Sequence, residues 1–443
     1  MRSTDVFPAA LLAGLCACLP HPARPCLATD APYGPPAASE ARPAGLEPVF
    51  IDHLGRHGSR YFTSPKDLEK MLATLEYAHS EGALNRRGKV LEASVRGFLK
   101  TSDFGQVTPL AAEQQKGIAL RMYRGNPGLF SYPGGRKVLA SATGKKRAQD
   151  TRDAFLAELA ALSGADPRTD FEVTVSTGCQ PLRFFDCDAD YRTYKKARSW
   201  LRTPYYLSLA ARARKVSRAV LRGILSTSFL DWLDRGNSAP AGTFRSSEEM
   251  AAALYKIYAM EQELPERPFG FRKYFDRAQL AWFEYLEDYG DFYEKGPGYP
   301  GSDITFAMGR QLLRDFLDTT ERAAENQAGS PAAVLRFAHA ETVMPMAALM
   351  KLSGASRQAG TYPFEARRWK SAGVAPMSAN IQWILFLRKD GRGHELEILL
   401  NERPVLIDAP LPHDGYFYSW PAVRGFYEDL LAGLAGPAAQ LNR

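Results

Sequence analysis

Long apolar segments are almost absent from this chain of 443 residues. The one near a terminus is PAALLAGLCACL, residues 8–19, which is too short to span a bilayer, so no membrane span is expected. Because this run follows Arg2, it is typical of the apolar part of a secretory signal, and cleavage is predicted after Ala28. The protein is then expected to be exported, either periplasmic or secreted. A lipoprotein attached through Cys18 is the less favoured alternative, because Cys16 lies where such a signal prefers another small residue.

Cysteine is scarce, with five residues in the whole chain. Cleavage after Ala28 would remove Cys16, Cys18 and Cys26 and would leave Cys179 and Cys187. Two cysteines that close a short loop in an exported protein predict a disulfide. Two free thiols are the alternative.

The chain also lacks an internal repeat, a glycine-rich phosphate loop and a recognisable nucleic-acid-binding module. Its formal net charge is +7. Such an excess can steer an anionic ligand towards a cleft, and it would also suit nucleic acid. Since no nucleic-acid module is present, a small anionic molecule is the expected partner.

The order of the predicted elements indicates an α/β fold. Residues 29–46 are rich in proline and alanine and are predicted to be a flexible lead-in. Strands then alternate with helices over residues 47–182 and again over residues 327–443, which is typical of a parallel α/β sheet. Between these two parts, residues 183–326 are aromatic, charged and mostly helical in period, and are predicted to form an inserted α-helical domain.

Individual elements follow from periodicity. PVFIDHL is predicted to be a strand, and so is the first part of PAAVLRFAHAETVMPMAALMKL, to about Phe337. A helix is predicted from about Lys145 to Leu162. NIQWILFLRKDGRGHELEILLN predicts a hairpin with DGRG as its turn. In the insertion, AARARKVSRAVLRGILSTSFLDWL and AQLAWFEYLEDYGDFY are each predicted to be helical.

Three segments share one layout, in which an apolar strand runs into a polar loop that opens a helix. They are GRHGSRYFT, ASATGKKR and AHAETVMP. Ligands of open α/β sheets bind outside the carboxyl ends of the strands, where helix N-termini add backbone donors for an anion. The three loops are therefore expected to converge on one pocket, and the ligand they indicate is a phosphate.

His57 lies between Arg56 and Arg60 in the first of these loops. Two neighbouring cations disfavour protonation, so the imidazole is expected to be neutral. A neutral imidazole beside two guanidiniums suits a nucleophile beside an anion clamp. The alternative is a core histidine that is hydrogen-bonded to a backbone carbonyl.

His339 and Glu341 follow the strand VLRFA. From one loop, the first could donate to a bound anion while the second carries a proton. Zinc is a rival ligand for this pair, but the nearby arginines would repel a cation, so no metal is expected. A solvated turn, with Glu341 capping a helix, is the third interpretation.

These residues, together with four other segments, resemble the histidine phosphatase superfamily in its acid phosphatase and phytase branch, and within that branch the multiple inositol polyphosphate phosphatases. The segments that carry the resemblance are RHGSRYFT at 56–63, RAQDTRDAFL at 147–156, LRFFD at 182–186, EYLEDYGDFYEKGPGY at 284–299, HAE at 339–341 and LLNERPV at 399–405. The resemblance implies a phosphoglycerate-mutase-like α/β core with an inserted, mostly helical domain. It also implies hydrolysis of inositol polyphosphates such as phytate, without a cofactor.

The resemblance further implies a role for each matching residue. His57 would be the nucleophile that becomes a phosphohistidine, and the clamp on the phosphoryl oxygens would consist of Arg56, Arg60 and Arg147. His339 would donate to the same phosphate, and Glu341 would protonate the leaving oxygen and then activate the water. Thr63 would bind phosphate, although this chain has Phe62 where the family often has proline.

A substrate with six phosphates needs further cations. The candidates for outer phosphate contacts are Lys145, Lys146, Arg183, Arg192, Lys195 and Lys196. An ordinary solvated helix face is the alternative for the basic run RTYKKARSWLR. Alternatives for the whole protein are a phosphatase of broad specificity, one acting on bisphosphoglycerate, or an exported polyanion-binding protein without activity. A monomer is expected.

Overall fold

The computed structural model describes residues 26–34, 36, 43–131, 135–235, 240–264, 269–325, 328–360 and 369–434. Most of the predicted signal segment, residues 1–25, lies outside these ranges. Within them, the helices fall short of the length and apolar character that a membrane crossing requires.

A mixed β-sheet forms the centre of the described structure. Its strands are β1 Leu46–Arg56, β2 Val138–Thr143, β3 Phe171–Ser176, β4 Ala333–Ala338, β5 Asn380–Arg388, β6 His394–Leu400, β7 Arg403–Pro404, β8 His413–Asp414 and β9 Phe417–Ser419. Their order is β3-β2-β4-β1-β5-β6-β9-β8, with β7 paired to β6.

Half of this sheet matches the parallel arrangement that the sequence predicts. The pairs β2–β3, β2–β4 and β1–β4 are parallel, whereas β5 runs antiparallel to β1. The predicted hairpin is confirmed as β5 and β6, and its short turn requires them to be antiparallel. The sheet is therefore mixed because the hairpin extends a parallel half.

Helices make up most of the remainder. They are α1 Lys66–Ser80, α2 Arg86–Thr101, α3 Pro109–Gly125, α4 Lys146–Ser163, α5 Phe184–Cys187, α6 Ala189–Ala197, α7 Pro204–Ser208, α8 Ala210–Leu221, α9 Thr227–Asp234, α10 Ser247–Glu261, α11 Arg277–Glu294, α12 Arg310–Glu325, α13 Ala340–Leu349, α14 Ser371–Val374 and α15 Trp420–Gly433. Short 3-10 turns lie at Ala28–Asp30, Pro127–Phe130, Ser199–Arg202, Phe271–Tyr274 and Ala307–Gly309.

Successive side chains of β1 enter two different cores, one on each face of the sheet. Ile51 packs with Phe155 of α4 on one face, whereas Phe50 and Leu54 join the larger core, which includes the helices between β3 and β4. This alternation is the period of two that an extended strand imposes on its side chains. Helices thus cover both faces of the sheet, and the loops lie at the ends of its strands.

The described part of residues 184–325 contains helices and no strand. One helix predicted there, over residues 210–233, is in fact two, α8 and α9. The chain breaks at Leu225, which bridges to Leu84, and Ser226 then caps α9 by accepting from the N–H of Phe229. The division of the chain into a core domain and an inserted domain remains a prediction.

The start of the described chain differs from the flexible lead-in that its composition predicts. The carbonyl of Ala31 accepts from the N–H of Met377 at 2.9 Å. The Tyr33 hydroxyl donates to Glu402 at 2.8 Å. Composition did not reveal this packing, because a few anchoring groups are enough to fix a segment rich in proline and alanine.

Candidate active site

Three parallel strands end at one edge of the sheet and bring the predicted loops together. Arg56 ends β1 and Thr143 ends β2, while His339 directly follows β4. The hydroxyl of Thr143 lies 3.0 Å from Nε2 of His339, and the ring centroids of His57 and His339 are 5.5 Å apart. The predicted convergence of the three loops is confirmed by these contacts.

His57 is buried, and the structure defines which of its ring nitrogens carries hydrogen. Nδ1 lies 3.0 Å from the carbonyl oxygen of Gly58, which can only accept a hydrogen bond. Nδ1 must therefore be the donor, and the lone pair is on Nε2. Burial, followed by the charges of Arg56 and Arg147, holds the pKa of His57 well below its usual range, so the ring is neutral.

Backbone and hydroxyl contacts hold the loop of His57 in place. The N–H of His57 donates to the carbonyl of Ala338, and the carbonyl of His57 accepts from the N–H of Ser378, each at 3.0 Å. The N–H of Gly58 donates to the hydroxyl of Thr151 at 3.0 Å. These bonds tie the loop after β1 to β4 and to α4.

Arginine side chains surround the two histidines. Arg56 is buried, and its Nη1 donates to the carbonyls of Thr29 and Ala375, at 2.5 and 2.7 Å. Arg147 Nη2 lies 3.4 Å from Nδ1 of His339. The Nε–H groups of Arg56, Arg147 and Arg183 are buried and find no hydrogen-bond partner among the described residues. Such donors favour an anion that could accept from them.

The charges of these arginines persist despite their burial. Burial and then Arg60 lower the pKa of Arg147 to about 10, which still leaves the guanidinium protonated at neutral pH. Burial, followed by Arg147, lowers the pKa of His339 to about 3, so this ring is neutral as well. The site is therefore a cationic pocket that contains two uncharged imidazoles.

Glu341 lies in the first turn of α13. Burial opposes the charge of its carboxylate, but the charge of Lys295 favours it, and the pKa of Glu341 falls to about 2. The carboxylate is thus ionised in the ligand-free site. A bound phosphate dianion would raise this pKa, because like charges disfavour ionisation.

The other predicted phosphate contacts differ in how they are placed. Arg183 forms an ion pair with Asp186 and contributes to the low pKa of His339, while Lys195 pairs with Glu294 at 2.8 Å and contributes to the low pKa of Glu341. Lys146 is exposed and pairs with Asp150 at 2.6 Å. Four further candidates have exposed side chains, namely Thr63, Lys145, Arg192 and Lys196.

The sequence does not mark two residues of the site as functional groups. Thr143 lies in the polar loop ASATGKKR, and its place after an apolar strand indicates the same edge as His57 and His339. Lys295 lies in the quoted segment EYLEDYGDFYEKGPGY and pairs with Asp291 at 2.9 Å. Its influence on Glu341 depends on how α11 packs, which no local pattern reveals.

The predicted disulfide between Cys179 and Cys187 is present, with the two Cα atoms 5.9 Å apart. The loop that it closes packs on the start of α13. The hydroxyl of Thr342 donates to the carbonyl of Leu182 at 2.8 Å, and the ring of Phe185 lies 6.3 Å from that of His339. The disulfide loop is therefore a wall of the site.

Zinc is the rival ligand that His339 and Glu341 could suit. Across the described residues, no group of three or more histidine, cysteine or acidic side chains is arranged to hold a metal ion.

The fold matches those of solved multiple inositol polyphosphate phosphatases and phytases. No protein-family model matches the chain. The chain is 24% identical over 410 residues to multiple inositol polyphosphate phosphatase 1 of Gallus gallus, covering 90% of this chain and 85% of that protein. Its relatives among curated proteins are thus multiple inositol polyphosphate phosphatases, and the resemblance drawn from the motifs is confirmed.

Solved structures agree on the fold. Multiple inositol polyphosphate phosphatase of Bifidobacterium longum, in complex with inositol hexasulfate, matches with a TM-score of 0.80 at 23% identity, covering 89% of this chain and 96% of that one. The phytase from D. castellii matches with a TM-score of 0.62 at 14% identity, covering 92% and 85%.

Proposed function

We propose that the protein is a phosphomonoesterase that hydrolyses inositol polyphosphates, phytate among them, through a phosphohistidine at His57. The observation that carries this proposal is the state of His57, a buried and neutral imidazole whose Nδ1 faces the carbonyl of Gly58 and whose Nε2 keeps its lone pair. Relatives that are inositol polyphosphate phosphatases support the substrate class.

In the first step, Nε2 of His57 attacks phosphorus and the bond from phosphorus to the inositol oxygen breaks. Arg56, Arg60 and Arg147 stabilise the charge of the transferred group, since one guanidinium can donate to two phosphoryl oxygens at once. Glu341 gives its proton to the leaving oxygen. It acquires this proton when the substrate binds, because the bound phosphate raises its pKa.

In the second step, Glu341 takes a proton from a water molecule, whose oxygen attacks the phosphorus of the phosphohistidine. The bond between phosphorus and Nε2 breaks, its electron pair returns to the imidazole, and inorganic phosphate leaves. The charge of Glu341 in the ligand-free site suits this role of base. His339 would hydrogen-bond to the phosphate in both steps, and Thr63 would contact it through its hydroxyl.

Outer phosphates of the substrate would bind to cations at the rim. Arg183 and Lys195 are the best supported of these, since both act on the electrostatics of His339 or Glu341. Lys145, Lys146, Arg192 and Lys196 would contribute only to a substrate that reaches beyond the pocket.

We further propose that the protein is exported, periplasmic or secreted, and that it acts as a monomer. The Cys179–Cys187 disulfide supports an oxidising compartment. The apolar run at residues 8–19, together with cleavage after Ala28, would provide the export signal.

Release of phosphate from phytate, bisphosphoglycerate, glucose phosphate and nitrophenyl phosphate tests the proposal, with the His57→Ala variant as control. A kcat/KM that is highest for phytate and abolished in the variant is the expected result. Similar values for all four substrates would instead indicate a phosphatase of broad specificity. No turnover of any substrate, with phytate still bound, would indicate a polyanion-binding protein.

A further inference from the structure

The segment Cys26–Gly34 lies directly against the predicted phosphate clamp. The carbonyl of Thr29 accepts from Arg56 Nη1 at 2.5 Å, and the same Nη1 donates to Ala375. The 3-10 turn Ala28–Asp30 also contacts α11 and α14. Tyr33 is buried, and the N–H of Met377 donates to the carbonyl of Ala31, so contacts that lie after the predicted cleavage point hold Thr29 and Asp30 in place.

Asp30 is the charged residue of this segment that faces the clamp. Its Oδ1 lies 3.9 Å from Nη2 of Arg60, while Nη1 of Arg60 donates to the carbonyl of Tyr61 at 3.0 Å. Burial lowers the pKa of Arg56, and Asp30 is the strongest of the charges that oppose this shift. Asp30 is therefore a counter-charge for two of the three clamp arginines.

When no phosphate is bound, the like charges of the clamp arginines are not neutralised by a ligand. Arg56, Arg60 and Arg147 carry like charges, and burial, followed by the charges of Arg60 and Arg56, lowers the pKa of Arg147. Without a substrate phosphate, repulsion would turn a partly exposed arginine such as Arg60 towards solvent. A fixed carboxylate nearby would keep it oriented, and orientation is one of the larger contributions to phosphoryl transfer.

We propose that Asp30 is a positioning residue for phosphoryl transfer, which holds Arg60 in the clamp while the Thr29 carbonyl holds Arg56. This inference rests on the proposed function. It assigns a role to a segment whose composition predicted only a flexible lead-in. The carboxylate of Asp30 has two opposite effects: it orients Arg60, and it repels a bound anion.

Asp30→Asn tests the proposal, because it removes the charge and keeps the shape. The kcat for phytate is expected to fall about tenfold through loss of orientation. Inhibition by inorganic phosphate should be unchanged or stronger, since a negative charge has left the site. Asp30→Glu, which keeps the charge, should recover part of the kcat. Asp318→Asn on the exposed surface of α12 is the matched control and should change neither quantity.

The outcomes distinguish the inference from the proposed function. If wild type hydrolyses phytate and Asp30→Asn has the same kcat, the positioning role is wrong while the function stands. If kcat, phosphate inhibition and melting temperature all decline together in Asp30→Asn, the residue is only structural and the inference is again wrong. A wild-type protein without phosphatase activity would overturn both.

Discussion

The hydroxyl of Thr151 accepts from the N–H of Gly58 at 3.0 Å and donates to the carbonyl of Arg147 at 2.7 Å. One side chain thus joins the loop of His57 to the first turn of the helix that carries Arg147. The relative position of His57 and Arg147 depends on this link, although Thr151 has no part in the chemistry.

Thr151→Val should therefore lower kcat about tenfold, because the buried N–H of Gly58 loses its acceptor and the loop shifts. Stability should fall by about 1 to 3 kcal/mol for the same reason. Thr151→Ser keeps the hydroxyl and should retain most of the activity. Kinetics and denaturant unfolding of both variants check this, and equal activity in Thr151→Val and Thr151→Ser would contradict it.

Gly58 is required by a close approach of α3. A Cβ at this position would lie 2.6 Å from Cβ of Ala111 and 2.9 Å from its Cα. We expect Gly58→Ala to reduce kcat about a hundredfold, because the adjacent His57 must move. Ala111→Gly alone should cost about 1 kcal/mol of stability and leave kcat near that of wild type. The double variant loses the contact with Cβ of Ala111 but keeps the one with its Cα, so it should recover only part of the activity, and a Gly58→Ala variant with the kcat of wild type would rule out the steric cause.

Glu341→Gln separates leaving-group chemistry from binding. The variant keeps the shape of the side chain but has no proton for the inositol oxygen, so turnover of phytate should fall about a hundredfold or more. Nitrophenyl phosphate leaves as a stable phenolate, and its first step should suffer far less. A fast burst of one equivalent followed by slow turnover is the expected time course. An equal loss in the burst and in both steady-state rates would assign Glu341 to binding or folding.

Acid stability depends in part on His53, which lies in β1 away from the chemistry. Burial, followed by Arg336, lowers its pKa to about 3, from an ordinary value of 6.5. The unfolded chain therefore binds a proton that the folded protein does not, and stability is lost as pH falls from about 6.5 towards 3. The contribution of His53 to this loss is about 2 kcal/mol between pH 7 and pH 5.

The His53→Phe variant lacks this titration and keeps a ring against Phe155 and Phe337. Its free energy of unfolding should consequently decline less than that of wild type between pH 7 and pH 5. Urea unfolding at both pH values measures the difference. Parallel declines in the two proteins would show that His53 is not buried in its neutral form.

Local sequence was sufficient for most of the parallel half of the sheet and for the convergence of its loops, because strand ends and helix starts carry their own patterns. It was insufficient for β3, whose FEVTVS segment was not assigned to any element, and for Lys295, which reaches the site through the packing of α11. Asp30 is the clearest case. Proline and alanine around it predict flexibility, but contacts with distant partners such as Arg56, Met377 and Glu402 hold the segment in place.

The central claim is that Nε2 of His57 carries the phosphoryl group during turnover. Wild-type protein mixed with nitrophenyl phosphate or phytate and quenched within milliseconds should contain phosphohistidine, which is stable to alkali and labile to acid, in the peptide that includes His57. Mass spectrometry and phosphorus NMR should locate the phosphate on Nε2, and His57→Ala should trap none. Phosphate on Nδ1, on His339, or on no residue of a protein that still hydrolyses phytate would contradict the account.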